Sequence, residues 1–261
     1  MNSFLQTARR NSISVLTVLG FLGVWQLLVT IFNVPAWLLP SPVTIWFAFV
    51  KEAPMLVRHV VATGAGATGG LLIGSIAGLV LAIVMVRSRL TERILMPLLV
   101  IDQSLPKMAL APIFVIWFGA GMASRVFIAI VISFFPMIVN AVRGMKSVDT
   151  RLNQLMETLS ASPWTVLRKV RLPNAVPYVF AGLKVAVPLA VIGAVVAEFM
   201  QADSGLGYVV LIAVGNVNTP LVFVAVLLMA ALSLTLFALV SIIEMFVLRR
   251  RFAYLALANE Q

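Results

Sequence analysis

The residues able to do chemistry in this chain are few, and most are set in apolar surroundings. Asp102, Gln103 and Lys107 lie inside the run "ILMPLLVIDQSLPKMALAPIFVIWFG", while Asn140, Lys184 and Glu198 lie within or at the edge of two other apolar runs. A charge at bilayer depth is costly, so it faces either a partner or a water-filled cavity. Two readings stay open for Asp102 and Lys107: a pair that joins two helices, or part of a polar path across the membrane. Gln103, Asn140 and Lys184 are further candidates for that path. A basic residue there would suit an anionic solute, although Asp102 would offset it. Lys184 and Glu198 are also open to a snorkelling or paired role.

Other chemistries are excluded by inventory. There is no cysteine, so neither a disulfide framework nor a thiolate metal site can form. The single histidine, His59, cannot build a histidine metal cluster, and read outside the apolar runs it leaves no nucleophile–base constellation for an intramembrane enzyme. No phosphate-binding G-x-x-x-x-G-K-[ST] occurs: "GAGATGG" lacks the lysine, and "GMKS" has the wrong order.

The elements that hold these residues follow from the composition. Of 261 residues, 62% are hydrophobic and 11% charged, with mean hydropathy +1.08. Soluble domains carry about 25% charged residues, so the chain is expected to be an all-α integral membrane protein. Six stretches approach the length of a span: 13–32, 60–86, 94–118, 123–142, 174–198 and 219–248. The first follows Arg9 and Arg10, but it exceeds a signal-peptide core and lacks a small-residue cleavage site, so it reads as a span.

Charge sets the expected orientation. With the N-terminus inside, fourteen of the 19 basic residues fall on the cytoplasmic side, among them Arg9, Arg10, Arg87, Arg143, Arg171, Arg250 and Arg251. Three (Lys51, Arg58 and Arg125) fall outside, and Lys107 and Lys184 lie within spans. The positive-inside rule therefore predicts both termini in the cytoplasm, and it accounts for the net charge of +10 without nucleic acid.

Several spans carry structural signals. Gly66, Gly70, Gly74 and Gly78 recur every fourth residue in the second span, which predicts close helix packing, within the chain or across a dimer. Pro97, Pro106 and Pro112 predict that the third span bends. Between spans five and six, "QADSGLGYVVLIAVGNVNTP" is too short and broken to cross and reads as a re-entrant or surface helix–loop. Its Gly205 and Gly207, with Glu198, are candidates for an outer gate.

The large polar insert is 143–173. Leu152, Leu155, Met156 and Leu159 recur on one helical face. Ser162–Pro163 then reads as a cap opening a second short helix, with Trp164, Leu167 and Val170 on one side and Arg168, Lys169 and Arg171 on the other. Leu172–Pro173 is expected to end that helix, and its basic face to meet lipid phosphates.

This insert resembles the cytoplasmic-loop motif of permeases of binding-protein-dependent ABC importers. That motif reads Glu-Ala-Ala, three residues, Gly, nine residues, an aliphatic residue, any residue, Leu-Pro. The glycine position falls on Ser160, the aliphatic on Val170 and Leu-Pro on Leu172–Pro173; Gln154, Leu155 and Met156 stand where the motif has Glu-Ala-Ala. "WLLPSPVTIW", "LPKMALAPIFVIWFGAG", "AVIGAVVAEF" and "SGLGYVV" are similar to the nitrate/taurine/alkanesulfonate branch of that family, over about residues 10–252.

The resemblance implies a six-helix type I ABC importer permease (MetI-like) fold in a bacterial inner membrane, forming one transmembrane domain over 1–261. It implies that Gln154, Glu157, Thr158, Leu159, Ser160 and Ala161 seat a separate ATPase, with Trp164, Arg168, Leu172 and Pro173 bracing them. ATP and magnesium would be held by that ATPase and no cofactor by this chain. The implied partners are a second permease chain, as a homodimer, two ATPase subunits and an extracytoplasmic substrate-binding protein. The implied cargo is a sulfonate, taurine, nitrate or carboxylate anion, or a heteroaromatic vitamin precursor. The alternative is a self-contained secondary transporter or channel, which would require internal repeats with broken helices in both halves.

Overall fold

The structure, a computed structural model, describes residues 2–201 and 203–258, and the side chains of 16–200 and 203–249. The side chains of Arg9, Arg10, Arg250 and Arg251, counted in the charge argument, lie outside the described residues.

The described chain is helical throughout. The helices are α1 (Asn2–Ile31), α2 (Pro42–Arg87), α3 (Arg89–Ser104), α4 (Ala111–Phe118), α5 (Met122–Lys146), α6 (Thr150–Thr158), α7 (Pro163–Val166), α8 (Leu172–Gln201), α9 (Leu206–Gly215) and α10 (Thr219–Ala258). A 3₁₀ turn, Lys107–Leu110, precedes α4, and a π-helical run, Leu167–Arg171, joins α7 to α8. Among the described residues four helical stretches are long and apolar enough to cross a bilayer, or five if the bent α3–α4 pair counts as one span. The described apolar part of α1, Leu16–Ile31, is shorter.

Two expectations need correction. The second helix begins at Pro42, not near 60. Ser41 caps it by accepting from the Thr44 amide at 3.2 Å, Pro42 occupies its first turn, and Pro54 is absorbed inside it. Lys51, Glu52 and Arg58 lower the hydropathy of its first half, yet its 46 residues rise roughly 69 Å, about twice the hydrocarbon thickness. The third span bends, as its prolines lead one to expect: its halves meet at 83°, at Leu105–Pro106. Leu172–Pro173 does not end a helix. The π-helical run carries α7 directly into α8 as one helical stretch, Pro163–Met200. Its wider turn suits Pro173, which has no amide hydrogen for a regular helical bond.

Helix α5 is the centre of the bundle, packed between α2 and α8. The glycine register of α2 makes that contact, so its partner lies within the chain. A methyl group on Gly78 would stand 2.9 Å from the Phe134 carbonyl, and one on Gly74 3.1 Å from the Ser133 hydroxyl. On the other flank a methyl on Gly193 of α8 would meet the Ala129 amide nitrogen at 2.9 Å. Such approach is how helices associate where lipid supplies no hydrophobic drive. Peripheral α1 is joined to α10 through Trp25 and Phe223, whose rings stand 5.9 Å apart. Exposed Leu, Ile, Val and Phe side chains cover α1, α3 and α10, as expected of surfaces facing acyl chains.

Candidate functional site

The functional residues fall at three levels. At one end of the bundle, Glu198 near the end of α8 is fully buried. Its carboxylate accepts from the Thr63 hydroxyl of α2 at 2.8 and 3.0 Å and from the Gly207 amide at 2.8 Å. Gly205, with φ of 107°, takes a conformation that side-chain-bearing residues avoid, and a Cβ there would collide with the Glu198 carboxylate. Glu198, Gly205 and Gly207, proposed from sequence as one group, are therefore brought together.

Sequence reasoning missed the rest of this cluster. Arg125, counted in the sequence only as a charge on the outer side, lies in the first turn of α5, 4% exposed. Its Nη2 donates to the carbonyl and hydroxyl of Ser204 at 2.8 and 2.9 Å, and its Nε stands 3.7 Å from Glu198. His59, also read outside the spans, is buried on α2, where its Nδ1 accepts from the Gly205 amide at 3.0 Å and its ring stacks on Tyr208. Thr63 in turn accepts from the Leu206 amide at 2.8 Å. Three helices thus grip the loop 203–207 by its backbone. At the rim, exposed Asp203 lies 3.6 Å from Arg125. The Ser204 hydroxyl donates to it at 3.0 Å; with a backbone donor and nearby Arg125, this holds its carboxyl below the ordinary range.

At the middle level the charges are paired. Lys107 donates to Asp102 at 2.6 Å and to the Val131 carbonyl of α5 at 3.2 Å, bridging the 83° bend and fixing it to the bundle. Lys184 of α8 pairs with Glu244 of α10, a partner the sequence reading did not single out. Both ammonium groups also lie over aromatic rings, Phe134 and Phe237. Asn140 donates to the Pro136 carbonyl of its own helix at 2.8 Å. Gln103 is exposed. The path candidates are therefore spread over α3, the 3₁₀ turn after it, α5 and α8, not gathered at one point.

At the third level stands the insert. Asp149 caps α6 by accepting from the Arg151 amide at 2.7 Å. No residue of α6 is buried, and its leucines project outward, with Leu152, Leu155 and Leu159 at 40, 52 and 65% exposure. The helix ends where the Ser160 amide donates to the Glu157 carbonyl at 2.9 Å and the Ala161 amide to the Met156 carbonyl at 3.0 Å. This double-bonded reversal requires a left-handed residue, and Ser160 supplies it with φ of 51°. Ser162 then opens α7 by accepting from the Thr165 amide at 3.2 Å.

The insert is anchored by its second half. Leu167 and Val170 are buried, Arg171 donates to the Val86 carbonyl at 3.3 Å, and Asn174 donates to the Gly144 carbonyl at 2.9 Å. Trp164, expected to brace the insert, is 57% exposed; Leu167 and Val170 pack in its place.

Comparison with known proteins fits this arrangement. Residues 70–252 match the family model described as the binding-protein-dependent transport system inner membrane component. The chain is 36% identical over 235 residues to the riboflavin transport system permease protein RibX of Chloroflexus aurantiacus, covering 89% of this chain and 88% of that one. It is 34% identical to the formylaminopyrimidine transport permease protein ThiX of Halalkalibacterium halodurans, covering 85% and 88%. It is 31% identical to the putative aliphatic sulfonates transport permease protein SsuC of Bacillus subtilis, covering 89% and 85%.

Proposed function

Because the chain belongs to the family of binding-protein-dependent transport system inner membrane components, an ABC importer permease and a multi-pass inner-membrane protein, we propose that it lines the path of an ATP-driven importer through which a neutral heteroaromatic solute passes. As a permease it is not the catalytic subunit. In this reading ATP and magnesium are bound by a separate ATPase, two copies of which act on two copies of this chain. A substrate-binding protein delivers cargo at the opposite face. The single transmembrane domain spans 1–261 and crosses six times, with α1 and the bent α3–α4 pair as two of the crossings and both termini cytoplasmic. The charge asymmetry of the sequence supports that orientation.

The observation that carries the coupling role is α6: a short helix with an apolar stripe and no buried residue, closed by a tight reversal at Ser160 and followed at once by α7, which runs without a break into α8. A stripe of exposed leucines on a firmly rooted element suits a protein groove. In this role Gln154, Glu157, Thr158, Leu159, Ser160 and Ala161 meet the ATPase, and Arg168, Leu172 and Pro173 belong to the root. Trp164 flanks the seat. Closure of the ATPase dimer displaces α6, and the seat differs between two states, since an equilibrium responds only to differential contact.

The cargo reading rests on charge. Lys107, Lys184 and Arg125 each face a carboxylate, so these groups offer no uncompensated cation to an anion. The named cargoes of the relatives at 36 and 34% identity, riboflavin and formylaminopyrimidine, are heteroaromatic. Asp102, Gln103, Lys107, Asn140 and Lys184 border the path, and Glu198, Gly205 and Gly207 form its outer gate.

The test is purification of the chain with the ATPase and binding protein encoded beside it, followed by cargo-stimulated ATP hydrolysis. Failure to co-purify with any ATPase overturns the coupling reading. Ala161→Glu is expected to weaken attachment while insertion persists; unchanged attachment would remove the seat from α6. A ligand screen on the binding protein decides the cargo, and a preference for sulfonate or nitrate would overturn the neutral class.

A further inference from the structure

Behind α6 lies a cleft of about 220 Å³, walled by Arg87, Glu157, Trp164 and Arg171 over an apolar floor that includes Met156 and Leu167. Two guanidinium groups from different elements converge on it: Arg87 is the last residue of α2, and Arg171 ends the π-helical run. One Arg171 nitrogen donates to the Val86 carbonyl, which fixes the group while other N–H donors remain on the fork. Among the described residues neither arginine has a carboxylate within 4 Å, in contrast to the three paired cations inside the bundle.

The position of the cleft narrows the ligand. The apolar run that opens near residue 60 of α2 ends at Arg87, and a basic residue closing such a run marks the depth of the lipid headgroups. Forked guanidinium groups match the oxygens of a phosphate, and an indole is at home at the same depth. The Glu157 carboxylate, which also lines the cleft, favours a singly charged phosphodiester over a doubly charged free phosphate. The π-helical turn that supplies Leu167 and Arg171 to the cleft is a rare element, frequent at functional sites. We propose that this cleft binds the phosphodiester headgroup of a phospholipid from the leaflet at which α2 ends, and that the bound lipid holds α6 against the membrane. Lipid retention depends only on the membrane placement; an effect on ATP hydrolysis would rest also on the importer reading.

The experiment is native mass spectrometry of the full-length chain in mild detergent, with phosphatidylglycerol, diacylglycerol or inorganic phosphate added. One phosphatidylglycerol is expected to stay bound per chain, and diacylglycerol none. Arg87→Gln and Arg171→Gln should each lower retention roughly tenfold, the scale of a lost hydrogen bond to a charged group. Arg151→Gln, on exposed α6 but outside the cleft, should retain lipid as the unaltered chain does. If Arg171→Gln fails to fold through loss of its Val86 bond, Arg87→Gln decides. Equal retention in Arg87→Gln, retention of diacylglycerol, or displacement of the lipid by inorganic phosphate would each overturn the proposal. So would loss of ATPase attachment in the arginine variants with lipid retention unchanged, which would assign the cleft to the ATPase seat.

Discussion

Thr63 and Glu198, 135 residues apart, share a buried hydrogen bond of 2.8 Å, and the same Thr63 oxygen accepts the Leu206 amide. One hydroxyl therefore links α2, α8 and the start of α9. Its donor goes to a carboxylate and its lone pair to a backbone amide, so no other small side chain replaces it fully. Thr63→Val keeps the shape and removes both bonds. The expected loss is about 2–3 kcal/mol, since a buried carboxylate and a buried amide each lose a partner. Chemical or thermal unfolding in detergent would measure it, and Thr63→Ser should recover most of it.

The ion pair beside this bond should be more costly to halve than to remove. Glu198→Ala leaves the buried Arg125 guanidinium with only the exposed Asp203 carboxylate beside it, a loss of about 3 kcal/mol. Replacing both residues by apolar ones of similar volume should lose less than either single change. A double-mutant cycle on unfolding free energies checks this, and additivity would refute it.

Lys184 and Glu244 make the same prediction in a setting tied to transport. Lys184→Met should destabilise by stranding Glu244, and Lys184→Met with Glu244→Leu should restore stability. If the cargo is neutral, the double variant should also keep cargo-stimulated ATP hydrolysis within about threefold of the unaltered chain, because no cation was used to hold it.

Ser160 carries strain that glycine would relieve. Ser160→Gly should stabilise the insert by roughly 0.5–1 kcal/mol, and Ser160→Val should destabilise it, because a β-branched residue resists positive φ. Hydrogen exchange of the Ser160 and Ala161 amides would report both, with protection rising in the glycine variant.

Asp203 gives a pH test with a definite sign. Its folded carboxyl titrates below the ordinary aspartate value, so its contribution is fully present above that value. It is lost only as pH falls through the depressed folded value. The contact with Arg125 should therefore persist through mildly acidic conditions. Ser204→Ala removes the largest cause and should raise the titration midpoint, as read by carbon NMR of the labelled carboxyl.

The division of the fold between what sequence reveals and what it hides has a physical basis. Composition, the glycine spacing, the proline bend and the amphipathic stripe of α6 are local patterns, and each fixed an element or its break. Glu198, Gly205 and Gly207 were also legible as a group, because a carboxylate ending an apolar run beside two glycines is unusual. Arg125 and His59 were not. A charge near the end of a span lowers the local hydropathy whether it faces water or a buried acid, and only a partner distant in sequence distinguishes the two. Glu244 escaped for the same reason: its partner Lys184 is 60 residues away.

The unbroken helix from Pro163 to Met200 joins the root of α6 to Glu198. At 1.5 Å per residue its 38 residues reach roughly 57 Å. If it pivots near its lower end, each degree of tilt there moves Glu198 by about 1 Å. That is enough to break a 2.8 Å hydrogen bond within a few degrees. A push on α6 would then be read out as release of the 203–207 loop, with the lever arm built into the chain itself.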